Sequence, residues 1–398
     1  MNPNILNTKI QEFINSNLSS DVSELLLKGI PFKDINPKVT IEQIEAKKRC
    51  QKKLPTWFNT KNIYYPNKLN IEQTSSEITA KYKADLVSGN TLIDLTGGFG
   101  VDTFYFSKQV ESVLHCELNN ELSNIAKHNF NALEVSNIKH LNENGIDALK
   151  RIDQPFDWIY IDPSRRDDSK KKVFLLSDCT PNVKTFQGLF LKYAKNVMIK
   201  TSPLLDIRAT KNDLKYVKTL HIVAINNEVK ELLWRLERDY DDELKIKTVN
   251  IVKGNQQTFE FNFKDESSAN AKYSLPLTYL YEPNTAILKA GAFEILSEKL
   301  NISKLHKHSH LYTSKELVDF PGRRFKIDAI IPFNKKIFAK QSIIKANITI
   351  RNFPISVGDI RKKLKIKDGG NLYLFFTTNC KNEKIIISCS KPQKQPHP

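Results

Sequence analysis

This sequence has no long hydrophobic run and few cysteines. No apolar stretch of the 398 residues is long enough to cross a bilayer, so no membrane association is expected. The opening MNPNILNTKI lacks the basic-then-apolar pattern of a secretory leader. The five cysteines (Cys50, Cys116, Cys179, Cys380, Cys389) form no C-x-x-C pair. That odd, scattered count suggests neither a disulfide framework nor a zinc site, and it fits a reducing cytoplasm. His306, His308 and His310 alternate, but no carboxylate or cysteine cluster joins them. They read as one face of a surface strand, and no metal is expected. Two nucleotide signatures are also missing. There is no G-x-G-x-x-G, and no Lys follows Gly100 to complete a P-loop.

Hydrophobic residues make up 40% of the chain, enough for a sizeable core and two to three domains. The net charge is +17 and is unevenly spread. Residues 323–398 hold 17 Lys and Arg against 4 Asp and Glu, and the other 322 residues hold 44 against 40. A basic terminal region is the electrostatic footprint of a polyanion, so nucleic acid is the expected partner.

The segment TLIDLTGGFGVDT (91–103) reads as a buried strand, a sharp turn and a helix start. Clustered glycines serve where the backbone needs positive φ or must approach a ligand. Strand–helix alternation follows. Strands are predicted at 92–95, 112–116, 138–141, 157–161 and 196–200. Helices are predicted at 101–108, 120–133 and 183–193, and 221–224 with 231–237 form a closing antiparallel pair. Glu117 ends the second strand about 20 residues past the glycines, where an acid can grip both hydroxyls of a ribose. Asp147 follows the third strand. Asp162 stands at the end of the fourth, the edge where open α/β sheets bind ligands.

Upstream, 8–18 and 21–28 read as helices with Asp21 a cap, and Thr40-Ile41-Glu42-Gln43 as a capping-box start. Ser75 or Ser76 can cap a helix over 78–86. Residues 264–272 read as a linker, 286–300 as one helix, and 325–331, 345–351, 371–377 and 384–388 as strands. Ser356 caps a helix to 364, followed by a turn at Asp368-Gly369-Gly370.

The order of Asp94 with the glycines, Glu117, Asp147 and Asp162 resembles the class I S-adenosylmethionine (SAM) methyltransferase family over residues 69–252. The glycine loop is similar to that of a bacterial rRNA guanine-N2 methyltransferase family. Asp162-Pro163 resembles the [N/D]-P-P-[Y/F] motif of nitrogen methylation, with Ser164 for the second proline and Arg165 for the aromatic. The strings Glu72-Gln73-Thr74-Ser75-Ser76-Glu77, Asp162–Arg166, Asp178-Cys179, Lys200–Asp206 and Arg351–Phe376 resemble one bacterial family with ferredoxin-like and THUMP-like domains.

The resemblance implies a Rossmann-like α/β sheet. It implies a helical domain (1–68), a methyltransferase domain (69–263), a ferredoxin-like segment (273–322), a basic THUMP-like domain (323–391) and a disordered tail (392–398). It implies SAM as cofactor, held by Ser75, Asp94, Thr96, Gly97, Gly98, Gly100, Asp102, Glu117 and Asp147. Asp162, Pro163, Ser164 and Arg165 would face the acceptor. RNA, as tRNA or rRNA, would meet Arg166, Arg351, Arg361, Lys362, Lys363, Lys365 and Lys367. A protein amide or amine methyltransferase, or an inactive RNA-binding module on this fold, are the alternatives.

Overall fold

A computed structural model describes residues 1–32, 35–165 and 175–392. The chain divides into two compact units, Met1–Lys218 with Leu233–Asp241, and Thr219–Leu232 with Asp242–Pro398.

The first unit opens with α1 (Thr8–Ser16), α2 (Val22–Lys28) and α3 (Pro37–Lys53). Asn7, Asp21 and Asn36 cap them by accepting first-turn N–H groups. The capping box at Thr40 is not used. Pro37 starts α3 earlier, since its fixed φ and missing N–H suit the first helical position, and Thr40 is buried mid-helix. Ile10, Ile14, Ile41 and Ile44 join one core with Trp57, Phe104 and Phe106. Then come α4 (Pro55–Asn59), α5 (Lys68–Gln73) and α6 (Glu77–Ala84), the last capped by Ser76.

The sheet of this unit begins with β1 (Thr91–Asp94), followed by α7 (Val101–Phe106), β2 (Ser112–Cys116), α8 (Asn120–Ala132), β3 (Ile138–Leu141), α9 (Gly145–Ile152) and β4 (Phe156–Ile161). The short β5 (Ser164–Arg165) and β6 (Cys179–Thr180) pair antiparallel. After them come α10 (Val183–Tyr193), β7 (Ala194–Thr201) and α11 (Ile207–Asp213). The order β7-β4-β1-β2-β3 is parallel throughout. Strands covered on both faces need apolar residues at successive positions, and Trp158–Ile161 are all buried. The order reverses between β1 and β4, and beyond the C-terminal ends of strands at such a switch point open α/β sheets bind their ligands.

β8 (Val217–Ile225) and β9 (Glu228–Glu237) form a hairpin through Asn226 and Asn227, both at positive φ as a two-residue turn requires. The second half of β9 belongs to the first unit. There Trp234 Nε1 donates to Thr201 Oγ1 (3.1 Å).

In the second unit β10 (Lys245–Val252) pairs parallel with β8 and antiparallel with β11 (Asn255–Asn262). The expected linker instead contains α12 (Asp265–Ser268). The Glu266 carboxylate accepts the N–H groups of Phe293, Glu294 and Ile295 and so ties the segment down.

The remaining elements are β12 (Tyr279–Pro283), α13 (Thr285–Ala290), α14 (Glu294–Lys299), β13 (Ser303–Lys304), β14 (Tyr312–Ser314), β15 (Gly322–Pro332), α15 (Lys335–Ala339), β16 (Lys345–Arg351), α16 (Val357–Leu364), β17 (Lys367–Thr378) and β18 (Lys384–Ser390). The sheet order is β13-β14-β12-β15-β18-β17-β16. Alternation along β17 and β18 feeds two cores. Phe375 and Ile387 join Leu280 and Phe325, while Phe376 and Ile386 join Phe338 and Ile360.

Three local readings are corrected here. Gly291, at φ +70°, ends α13 and splits the single helix expected over 286–300. His306, His308 and His310 lie between β13 and β14 rather than on a strand, with His310 at φ +50°. Asp368-Gly369-Gly370 fall inside β17, where Asp368 pairs with Ala346 and the two glycines open the register break before Tyr373 pairs with Asn347. The tail beyond 392 lies outside the described residues, and Lys391 packs over the Phe325 ring (4.4 Å).

Candidate active site

The glycine turn is built from beneath. Asp94 ends β1 almost fully buried. Its carboxylate accepts from Thr96 N–H (3.0 Å) and Thr103 Oγ1 (2.7 Å), fixing the turn to the start of α7. Burial pushes its pKa up to about 7, against the pull of those two donors. Gly97 donates to the Cys116 carbonyl (2.8 Å), which ties the turn to the end of β2. A Cβ on Gly97 would lie 2.2 Å from His115 Nε2, and one on Gly100 2.4 Å from the Phe130 ring. Burial lowers the His115 pKa to about 4, so the ring beneath the turn stays neutral. Gly98 (φ +57°) is different, because a Cβ there would meet nothing closer than 3.9 Å.

Glu117 lies just past β2. It accepts from Gly98 N–H (2.9 Å) and Asn119 N–H (2.7 Å), one bond per carboxylate oxygen. Each oxygen keeps acceptor capacity for a further donor. Asp147 is exposed in the first turn of α9, and Asn144 caps that helix at the end of β3.

Two charged pairs that sequence reasoning missed complete the site. Lys83 of α6, fully buried, stands 3.2 Å from Asp102 Oδ1. It also donates to Ser75 Oγ (3.0 Å), and Ser75 and Tyr160 both donate to Asp102 Oδ2 (2.8 and 2.7 Å). Ser75 is therefore free of the helix cap, a role Ser76 takes. Burial raises the Asp102 pKa, but Lys83, Lys200 and the two hydroxyls outweigh it and hold the carboxyl below its ordinary value. The second pair joins Lys200, at the end of β7, to Asp162, just past β4. Thr96 Oγ1 accepts the Asp162 N–H (2.7 Å), so Thr96 locks the glycine turn to the segment just past β4. Lys83 follows Lys81 and precedes Asp85 in the sequence, so nothing in the local pattern sets it apart from a solvated helix face. Lys200 opens the string Lys200–Asp206, where a lysine at a strand end has no sequence feature that names its partner.

Pro163 is half-buried, and Ser164 Oγ donates weakly to the Thr180 carbonyl (3.4 Å). The Arg165 main chain pairs with Cys179. Arg166 and Lys170–Lys172 lie outside the described residues.

The basic residues of the second unit differ among themselves. Arg351 donates to Glu282 Oε1 (2.9 Å), and Arg361 is held by Asp368 and the Ala346 carbonyl. Lys362, Lys363, Lys365 and Lys367 are exposed. No group of three or more potential metal-ligating side chains occurs among the described residues.

Comparisons place this geometry in a family. A ferredoxin-like domain model matches residues 279–321, and a THUMP domain-like model matches 322–391. The crystal structure of a "putative methyltransferase" from Porphyromonas gingivalis W83 is 31% identical. It covers 99% of this chain and 100% of its own, with a TM-score of 0.86. The chain belongs to that family, class I SAM-dependent methyltransferases with C-terminal ferredoxin-like and THUMP-like domains. Two other solved structures align more locally. One is a "putative methyltransferase" from Streptococcus mutans in complex with SAH (13% identity, 41% of this chain, 96% of that one, TM-score 0.30). The other is an rRNA methylase from Streptococcus thermophilus (12%, 40%, 94%, 0.30). Both overlaps are too slight to bear on this chain's substrate. No curated protein sequence matches it.

The residues present fit SAM. Gly98 gives a backbone ridge with open space above it, Glu117 retains acceptor capacity for hydroxyls, and the Ser75–Asp102–Lys83 cluster offers groups of both signs.

Proposed function

We propose that this protein methylates a nucleobase nitrogen of structured RNA, a tRNA or an rRNA, using SAM. The observation that carries the reading is the position of Asp162-Pro163. It lies at the sheet edge where strand order reverses, tied through Thr96 to the glycine turn.

When bound, SAM supplies an electrophilic methyl group. Gly97, Gly98 and Gly100 line its amino-acid end, with Ser75 and Asp102 beside them. Glu117 takes the ribose hydroxyls, and the start of α9 near Asp147 the adenine. Asp162 would accept a hydrogen bond from the target N–H, aim the nitrogen lone pair and take the proton as the methyl group leaves the sulfonium sulfur, which would keep the S–C electron pair, for that nitrogen. Lys200 keeps that carboxylate fixed. Alignment of the two reacting atoms provides most of the acceleration. Pro163, Ser164 and Arg165 flank the acceptor, and Arg166 would hold a base or a phosphate. The net positive charge of residues 323–398 supports an RNA substrate, with Lys362, Lys363, Lys365 and Lys367 as phosphate contacts.

The test is transfer of tritiated methyl from SAM to total RNA and to total protein from cells lacking this gene, with Asp162→Ala as control. Label in RNA that the variant fails to place supports the reading. Label in protein alone replaces it with an amide or amine methyltransferase. No label, with no SAM binding, leaves an RNA-binding module.

A further inference from the structure

The second unit contains a cavity of about 280 Å³, lined by residues of that unit alone and apart from the methyl-transfer residues. Its wall is rich in carboxamides, and their orientations follow from their partners. Gln257 donates to the Gly322 carbonyl (3.3 Å) and accepts from Asn250 Nδ2 (3.0 Å). Asn250 Oδ1 accepts the Asn227 N–H (2.9 Å), and Asn227 Oδ1 accepts the Thr285 N–H (2.9 Å). Asn284 Oδ1 accepts the Ile287 N–H (3.1 Å). The side-chain oxygens of Gln257, Asn250, Asn227 and Asn284 thus each already accept one hydrogen bond, while donor capacity remains. Asn284 is 2% exposed, and its Nδ2 has no hydrogen-bond partner.

Charge on the same wall has a definite sign. Glu282 is buried and faces two guanidinium groups, Arg323 and Arg351. One carboxylate against two cations leaves a surplus positive charge, and Arg323 also lines the cavity. Val252 and Pro283 supply apolar wall. The complement is a ligand with an apolar face, hydrogen-bond acceptors and a negative charge.

We propose that this cavity receives one nucleotide of single-stranded RNA, its phosphate toward Arg323 and an acceptor-bearing base edge toward Asn284. Unpaired bases can be read in this way because their edges and faces are free. The proposal rests on RNA being the substrate and adds a second contact point, distinct from the exposed lysines near α16.

The experiment uses the full chain and a fluorescein-labelled single-stranded hexanucleotide of mixed sequence, with binding read by anisotropy. Asn284→Asp keeps the side-chain acceptor that starts α13, since Asp caps as well as Asn, but it removes the donor and adds negative charge. Its dissociation constant should rise at least tenfold with melting unchanged, and Arg323→Met should behave alike. The nucleoside 5′-monophosphates are added as competitors. Competition assigns the site to a free or terminal nucleotide, and no competition assigns it to a nucleotide within the strand. Wild-type affinity in both variants overturns the proposal while leaving the RNA reading intact. A wild-type protein that binds no RNA overturns the RNA reading itself. Should Asn284→Asp melt early, Arg323→Met decides by the same criterion.

Discussion

Replacing Lys83 with methionine tests the site's electrostatics most directly. Lys83 is fully buried, Asp102 keeps 11% of its side chain exposed, and the ammonium lies 3.2 Å from Oδ1. Met fills similar volume but takes away the nearest cation, leaving the buried Asp102 charge to the hydroxyls of Ser75 and Tyr160 and the weaker pull of Lys200. Breaking a buried pair from one side costs about 3–5 kcal/mol. In a unit of this size that is a fall in melting temperature of about 6–20 °C, at about 2–4 °C per kcal/mol.

Urea unfolding followed by tryptophan fluorescence reads this cleanly. The three tryptophans, Trp57, Trp158 and Trp234, are all buried and all in the first unit. The double variant K83M/D102N carries no charge at the site and should recover about 1 kcal/mol or more, within the usual coupling of contacting residues. The pH dependence has a fixed sign. The folded Asp102 carboxyl lies below its ordinary value of 3.8, so the unfolded chain takes up the proton first. The stabilisation is therefore full above that value and disappears as pH falls through the folded one. The gap between wild type and Lys83→Met must narrow in acid. A Lys83→Met protein within about 1 kcal/mol of wild type at neutral pH would refute the reasoning, because the pair would then be screened by solvent.

The remaining expectations concern the turn, the acceptor edge and the basic surface. Asp94 has its pKa raised to about 7, so the folded state holds a proton the unfolded state has lost, and stability declines from about pH 4 to pH 7. Asp94→Asn should flatten that decline in urea midpoints measured across the range. Gly97→Ala drives a methyl group into His115 and should cost about 1–3 kcal/mol in urea unfolding. Gly98→Ala would meet no neighbour but is strained at φ +57°, so it should cost about 1–2 kcal/mol in urea unfolding and weaken SAM binding in calorimetry. If Asp162 is the proposed proton acceptor, Asp162→Asn should lower the methyl-transfer rate about 10²–10⁴-fold with SAM affinity retained. Glu substitutions at Lys362, Lys363 and Lys365 should weaken RNA binding and flatten its salt dependence, by about 0.7 in log–log slope per lost contact to single-stranded RNA. Arg361 is left out of that set because it braces Asp368 and the Ala346 carbonyl.

Local chemistry determined much of this protein from the sequence alone. The apolar runs ending in Asp94, Cys116 and Ile161 made parallel strands, because both faces are covered. Asp21 and Ser356 capped their helices, because a short polar side chain before an apolar period has few other uses. Asp94, Gly97, Gly98, Gly100, Glu117 and Asp162 lie at or just past the C-terminal ends of β1, β2 and β4, as the pattern implied. Helix starts followed local competition instead. Pro37 overrode the motif at Thr40, and Gly291 cut a helix that periodicity alone would have continued.

Tertiary structure decided which charges meet. Lys83 and Asp102, Lys200 and Asp162, and Glu282 with its two arginines are pairs between residues far apart in the chain. It also pairs Arg351 and Arg361, read as RNA contacts, with Glu282 and Asp368. A charged residue has the same sequence signature whether it faces water, an ion or a ligand. Only the packed fold removes the water and makes the choice among them a matter of several kcal/mol.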